Sequence, residues 1–345
     1  MTKKISKELS GKKICLIGGA GFIGHNLALH LANSGASVSI IDGLQVNNIL
    51  SSKFQEVSSP NKLHLGMLRE RQKLMEESDI KLFVQDARDY LCLGTLINEI
   101  EPEVIVQLAA VSHANLSNKN PYNTFDHCNR TLENALDQSR GKIEHFIYFS
   151  SSMVYGNFTE NSVNEEMACN PIGIYGALKY GGEKLVIAYN QVFGLPYTII
   201  RPSALYGERC VSRRVGQIFI ENALTTGEIS ITGDGSDTLD FTYIGDLVRG
   251  VEKVITNKNA LGQTLNLTYG KGRSLAEMAN IIRQHFPGIK IEYEPKDQLI
   301  PDRGTLSIQK ARDLIGYEPE FSLEKGYEHY INWYKDFHKR YYKND

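Results

Sequence analysis

An apolar run, Ile14-Cys15-Leu16-Ile17, opens directly onto Gly18-Gly19-Ala20-Gly21-Phe22-Ile23-Gly24, and Leu27, Leu29 and Leu31 follow at roughly helical spacing. Few folds accommodate that order. The run suits a strand buried on both faces, and the glycines suit a tight turn into a helix. Gly18 permits the turn, Gly21 lets backbone approach a pyrophosphate, and Gly24 lets the helix pack against the strand. Free N–H groups at the helix start, around Phe22 and Ile23, face the anion. Alone, three glycines so spaced also describe an ordinary glycine-rich turn. Here a second strand, Ser37-Val38-Ser39-Ile40-Ile41, follows the helix and ends in Asp42, about where a carboxylate meets a ribose. The pair of features points to a dinucleotide. Asp42 further selects NAD over NADP, because a carboxylate accepts from both ribose hydroxyls and repels a 2′-phosphate. Its simpler role is that of a turn-former in Asp42-Gly43.

The strand-and-helix rhythm then continues, interrupted by a long polar insertion over residues 45–79 that contains a helix-like stretch from Leu65 to Glu77. A connection of that length covers a site, contacts another subunit, or is a surface excursion. The rhythm resumes with Ile80–Val84, which leads into Asp86 and Ala87, a helix over Tyr90–Glu99, and the strand Val104–Ala110. Asp86 either reaches the adenine or caps the next helix. Leu108, Ala109 and Ala110 are small and apolar, so a flat cofactor can lie against them. Asn120-Pro121 starts a long helix reaching Ser139, and His145–Phe149 is a buried strand that delivers Ser150, Ser151 and Ser152 to the carboxyl edge, where ligands of parallel sheets bind. A helix from about Tyr175 to Phe193 and a strand from Leu195 to Arg201 follow. The predicted fold is α/β, a Rossmann-type doubly wound parallel sheet over 12–205 with a smaller C-terminal α/β substrate-binding lobe over 206–345, some of whose elements return to the first domain.

Tyr175 and Lys179 lie four apart, so on a helix they share one face. A free tyrosine, with pKa about 10, is a poor base at neutral pH. Bringing it near 7 takes roughly 4 kcal/mol, which an ammonium about 4 Å away at an effective dielectric near 20 supplies. The positive charge of an oxidised nicotinamide assists. Ser151 then orients a substrate hydroxyl for proton removal by Tyr175 as hydride leaves for the nicotinamide. Tyr-x-x-x-Lys pairs abound on solvated helices; this one gains meaning from the dinucleotide turn and the serine-bearing strand end that precede it.

Together these segments resemble the extended short-chain dehydrogenase/reductases of the nucleotide-sugar epimerase and dehydratase type, from about Lys13 to Tyr317. The resemblance rests on Gly18 to Gly24, Asp42, Asp86, Leu108-Ala109-Ala110, Ser150 to Gly156, Tyr175 with Lys179, Arg201-Pro202 before Tyr206-Gly207, Gly233-Asp234-Gly235 and Ile308 to Pro319. It implies Ser151, Tyr175 and Lys179 as catalytic residues, a nucleotide-diphosphate sugar as substrate, and substrate contacts from Ser112, with neighbouring His113, and from Ser152. It also implies a homodimer joined through the helices around Asn120–Ser139 and Gly176–Phe193. Three departures qualify it. Met153 stands where dehydratases and decarboxylases carry a glutamate, which disfavours those reactions. Ala204 and Leu239 stand where the family commonly has the asparagine and arginine that hold the diphosphate. Arg209, Arg213, Arg214 and Arg303 lie in segments like the family's phosphate loops, and bidentate guanidinium forks suit phosphate oxygens. The expected activity is an epimerase acting at C4 through a transient keto-sugar; a net 4-dehydrogenase or ketoreductase, or a non-catalytic NAD sensor, are the alternatives.

Bulk composition narrows the partners. Over 345 residues, 38 basic side chains against 40 acidic ones give a formal charge of −2, too little field to recruit nucleic acid or an acidic membrane surface. Any anionic substrate must be held by local arginines. Five scattered cysteines suggest neither a disulfide framework nor a metal site. No export or membrane-spanning segment is recognised, so a cytoplasmic location is expected.

Overall fold

The computed structural model describes residues 6–46, 48, 50, 62–111, 114–295 and 301–342. Seven parallel strands form its centre: β1 (Lys13–Ile17), β2 (Ser37–Asp42), β3 (Lys81–Val84), β4 (Val104–Gln107), β5 (His145–Phe149), β6 (Tyr197–Arg201) and β7 (Gln263–Asn266). Their spatial order is β7-β6-β5-β4-β1-β2-β3, so the direction of winding reverses between β1 and β4. In such sheets the ligand crevice lies outside the carboxyl ends at that reversal, which is where β1 releases the chain into Gly18.

Alternate residues of the strands feed two separate cores. Ile14 and Leu16 join Val104, Val106 and Ile147 on one face, packed under α1 (Phe22–Asn33), α2 (Lys62–Glu77), α7 (Ile244–Thr256) and α8 (Leu323–Tyr342). Cys15 and Ile17 join Ile105, Phe146 and Tyr148 on the other, under α3 (Tyr90–Ile100), α4 (Thr131–Ser139) and α5 (Gly173–Phe193). Burial on both faces is why these strands read as continuous apolar runs. The second half of the chain adds α6 (Val215–Thr225) and a two-stranded parallel pair, Glu228–Thr232 with Lys290–Glu294, beside the carboxyl edge.

Two elements differ from expectation. The helix expected from Asn120 to Ser139 begins as predicted, with Asn120 accepting from the Asn123 N–H and Pro121 at its first position. It then widens into a π turn over Asp126–Arg130 before α4. The insertion helix α2 starts at Lys62 rather than Leu65, while 51–61 lie outside the described residues.

Candidate active site

The glycine turn has the geometry its spacing implies. Gly18 sits at φ +80, donates its N–H to Ile41 O at 2.8 Å, and a Cβ there would lie 2.5 Å from Ala109 N. A Cβ on Gly24 would lie 2.4 Å from Gly19 O, so that glycine closes the helix onto the turn. Gly21 precedes α1 in extended conformation with no side-chain cap, leaving the first N–H groups of the helix for an anion.

Asp42 closes the other side. Its Oδ2 accepts from Ala20 N at 2.9 Å and its Oδ1 from Leu44 N at 2.7 Å. Burial pushes its carboxyl above the ordinary range, against those two N–H groups and the nearby Arg71 cation. Asp86 behaves oppositely: burial works against ionisation, yet Arg88 donates from its Nε to both carboxylate oxygens at 3.0 Å and carries the group down to about 2. The cap of α3 comes from Asp89, which accepts from Cys92 N at 3.0 Å, so Asp86 is left to the cleft. Of the residues expected to hold the cofactor, Gly18, Gly21, Phe22, Ile23, Gly24, Asp42, Asp86, Ala87, Leu108, Ala109 and Ala110 line the cleft, while Tyr175 and Lys179 line the neighbouring cavity. Arg71, His127 and Thr131 line it as well, and the sequence carried no sign of them. His127 and Thr131 arrive on the π turn and its edge, a device that recurs at functional sites.

A second cavity of about 740 Å³ shares Ile23, Leu108, Ala110 and Arg214 with the cleft. Ser151, Ser152, Tyr175 and Lys179 line it. Ser151 bears on the Tyr175 phenol, favouring its ionised form, and accepts from Met153 N at 3.2 Å. Lys179 Nζ donates to Phe149 O at 2.7 Å and lies 6.0 Å from the centre of the Tyr175 ring. The relative placement of strand end and helix is fixed from below by a buried ion pair. Arg201 grips Glu183 through Nε at 2.9 Å and Nη2 at 2.7 Å, while Ser150 Oγ donates to the same carboxylate at 2.5 Å.

Burial is the largest influence on both members of this pair. It pushes the Tyr175 phenol up to about 12, with Arg214 and Ser151 opposing, and it pulls the Lys179 ammonium below its usual value. Bringing such a phenol to 7 needs about 7 kcal/mol. A cation about 6 Å away at an effective dielectric near 20 supplies about 3 kcal/mol. Lys179 is thus one cation near the ring, and Arg214, which already draws the phenol down, is another.

The arginines divide. Arg214 and Arg303 line the cavity, and the Nε of each is buried with no hydrogen-bond partner among the described residues. Burial, reinforced by the neighbouring Arg214 cation, draws Arg303 down to about 10, against Asp237. Two neighbouring half-buried cations whose Nε donors have no partner among the described residues fit an anion with several oxygens. Arg213 lines the same cavity at φ +51. Arg209 does not line it, contrary to expectation: with φ +59 it turns toward α1 and α8, donating to His25 Nε2 at 3.1 Å and Asn26 Oδ1 at 3.2 Å, pairing with Glu70 at 3.6 Å and lying over Trp333. Ser112 and His113 lie outside the described residues. Ala204 and Leu239 line the cavity as apolar wall, and Asp237 and Asp302 are its only carboxylates among the described residues. Among the described residues no cluster of His, Cys, Asp or Glu is placed to hold a metal, and no helix is long and apolar enough to cross a membrane.

The residues of the cleft fit a dinucleotide: an uncapped helix N-terminus, a turn that tolerates no side chain at Gly18, and a carboxylate where a ribose would lie. Comparison with known proteins agrees. The model of the NAD dependent epimerase/dehydratase family matches residues 14–268. A putative UDP-glucose 4-epimerase of Methanocaldococcus jannaschii is 31% identical over 332 residues, 94% of this chain and 98% of that protein. The solved structure of an epimerase from Methanothermobacter thermautotrophicus superposes with a TM-score of 0.82 at 26% identity, covering 97% of this chain and 95% of the other. A UDP-glucuronic acid 4-epimerase from Bacillus cereus, solved with UDP-glucuronic acid and NAD, gives 0.82 at 25% identity, covering 94% and 99%.

Proposed function

Since the chain belongs to the NAD dependent epimerase/dehydratase family, and is an NAD-dependent enzyme of the extended short-chain dehydrogenase/reductase type, we propose that it is a nucleotide-sugar 4-epimerase. The observation that carries the reading is one cavity, sharing four wall residues with the dinucleotide cleft, that holds both a proton-transfer set and two half-buried arginines whose Nε donors have no partner among the described residues. Gly18 to Gly24, Asp42 and Leu108 to Ala110 would hold NAD, which when bound accepts hydride from the carbinol carbon and returns it.

The chain's own part is proton handling and grip. Tyr175 takes the proton of the sugar hydroxyl, Ser151 orients that hydroxyl, and Lys179, anchored on the Phe149 carbonyl, biases the phenol toward ionisation. Arg214 and Arg303 clasp the diphosphate from a shifted position, in place of the contacts that Ala204 and Leu239 cannot make. Dehydration is disfavoured, because Ser152 and Met153 bring no carboxylate beside Ser151 and the cavity's acids, Asp237 and Asp302, flank Arg303 in space or sequence. The names of the relatives direct the first trial to UDP-hexoses and UDP-hexuronates.

Purified holoenzyme is expected to bring UDP-glucose with UDP-galactose, or UDP-glucuronate with UDP-galacturonate, to equilibrium with no build-up of NADH, as followed by chromatography and absorbance at the nicotinamide band. Failure with every UDP-, dTDP-, CDP- and GDP-sugar would defeat the proposal, and stoichiometric NADH would favour the dehydrogenase instead. Exchanging Arg303 or Arg214 for glutamine is expected to raise KM about 10- to 100-fold, from loss of a charged hydrogen bond of roughly 1.5–3 kcal/mol, with a smaller change in kcat. An unchanged KM in both variants would remove them from the substrate site. Tyr122 and Phe125, on the helix after Pro121, and Val192 and Phe193, at the end of α5, are exposed, and we place a homodimer contact on these two helices; sedimentation equilibrium showing only monomer would exclude it.

A further inference from the structure

Arg71 is 2% exposed, comes from the insertion helix α2, and has no part in the chemistry above. It lines the dinucleotide cleft and reaches from there to the loop that lines the substrate cavity. Its Nε and Nη2 donate to Arg209 O at 3.0 and 2.5 Å, and its Nη1 donates to Ala20 O at 3.3 Å. Ala20 belongs to the glycine turn, and its N–H is held by Asp42 at 2.9 Å, the carboxylate whose charge also steadies the Arg71 cation. Arg209 begins the loop that ends in Arg213 and Arg214. That loop is under backbone strain, with φ +59 at Arg209 and +51 at Arg213. Its Val211, Ser212 and Arg214 line the dinucleotide cleft, while Arg213 and Arg214 line the substrate cavity.

The far end of the loop is held from the same helix. His64 lies seven residues before Arg71, two turns away on the same face. Its Nε2 meets Glu221 at 2.5 Å and Gln217 at 3.1 Å, and Gln217 Oε1 accepts from Arg213 N at 2.9 Å. The insertion thus braces both ends of a strained loop, and at the Arg71 end the brace also reaches the dinucleotide turn.

We infer that Arg71 is a positioning residue that couples the two sites, so that NAD and a nucleoside diphosphate each tighten the binding of the other. The inference rests on the functional reading above. A dinucleotide settling on the glycine turn steadies Ala20, and through one planar guanidinium steadies Arg209 O and the loop that presents Arg214. A diphosphate drawn onto Arg214 then meets a loop already ordered, and reciprocity requires the reverse effect to be equal. Lysine cannot substitute, because an ammonium is a point donor and does not span two carbonyls as a fork does.

The test is the rate at which the holoenzyme loses NAD into a chase of labelled NAD, with and without saturating UDP, and with dTDP, CDP and GDP run alongside. Wild type is expected to lose NAD about tenfold more slowly with the diphosphate bound, inside the usual range for coupled sites. In Arg71→Lys, and in Arg71→Gln, which keeps neutral donors, that ratio is expected to fall toward one while both ligands still bind. A merely structural Arg71 would weaken both ligands and lower Tm but leave the ratio as in wild type, and that result overturns the inference. So does a wild-type ratio of one, which decides the matter even if neither variant folds. If no nucleoside diphosphate binds the holoenzyme, the functional reading falls and takes this inference with it; if UDP binds without slowing NAD loss, only the inference falls.

Discussion

Tyr175→Phe is expected to lower kcat by about 10²- to 10⁴-fold, the usual worth of a positioned acid–base group, while NAD stays bound and the fold is unchanged. Tyr175 and Ser151 both line the cavity, so removing the phenol oxygen leaves the Ser151 hydroxyl to turn toward solvent or substrate. The pH profile carries the more specific signature. Tyr175 must be ionised to accept the hydroxyl proton, so the rate rises with pH until the phenolate is fully formed. Burial holds the free phenol up at about 12, and every cation brought near it moves the rising limb toward lower pH. In Tyr175→Phe that limb should vanish from kcat/KM, leaving a shallow residual rate. Lys179→Met should retain the limb but displace it to higher pH, since a cation near the ring that favours the phenolate is lost. A phenylalanine variant that keeps more than a tenth of wild-type kcat, with an unchanged rising limb, would show that another group moves the proton.

What could be read in advance was local. The turn from Ile14 to Gly24, the carboxylate at the end of β2 and the four-residue step from Tyr175 to Lys179 each depend on neighbours in sequence, and each is found where its spacing implies. The distance from cation to phenol was not local. It depends on where β5 ends beneath α5, and there Lys179 is spent on Phe149 O rather than held at contact with the ring. Arg209 shows the same limit more sharply. Its motif position places it on the correct loop, but φ +59 sends its side chain toward His25 and Asn26, and of the four expected arginines Arg213, Arg214 and Arg303 line the cavity. Arg71 was invisible because its partners, Ala20, Asp42 and Arg209, are 51, 29 and 138 positions away and two of the contacts are to backbone carbonyls that any sequence supplies. The π turn at Asp126–Arg130 likewise has no composition that distinguishes it from an α-helical stretch.

Gly18→Ala should be the substitution most damaging to cofactor binding, and the reason is separable into two parts. An alanine at φ +80 bears about 1 kcal/mol of backbone strain that glycine does not. The larger part is contact: the new methyl would lie 2.5 Å from Ala109 N and 2.6 Å from Ala109 Cα, and these are backbone atoms continuous with β4, with no side-chain rotation to relieve them. Either the turn lifts from the sheet or the Leu108–Ala110 wall moves outward, and both displace surfaces that frame the cleft. We expect NAD affinity to fall by about 100-fold or more, equivalent to roughly 3 kcal/mol, so that the purified variant carries substoichiometric NAD and its Tm no longer rises when NAD is added. Gly141→Ala separates the two parts, since Gly141 has φ +65 but nothing within 4 Å of its added Cβ. It should show only the strain, a modest drop in Tm with full NAD content. If Gly18→Ala matches Gly141→Ala in NAD stoichiometry, close approach of the turn to Ala109 does not shape the cofactor cleft.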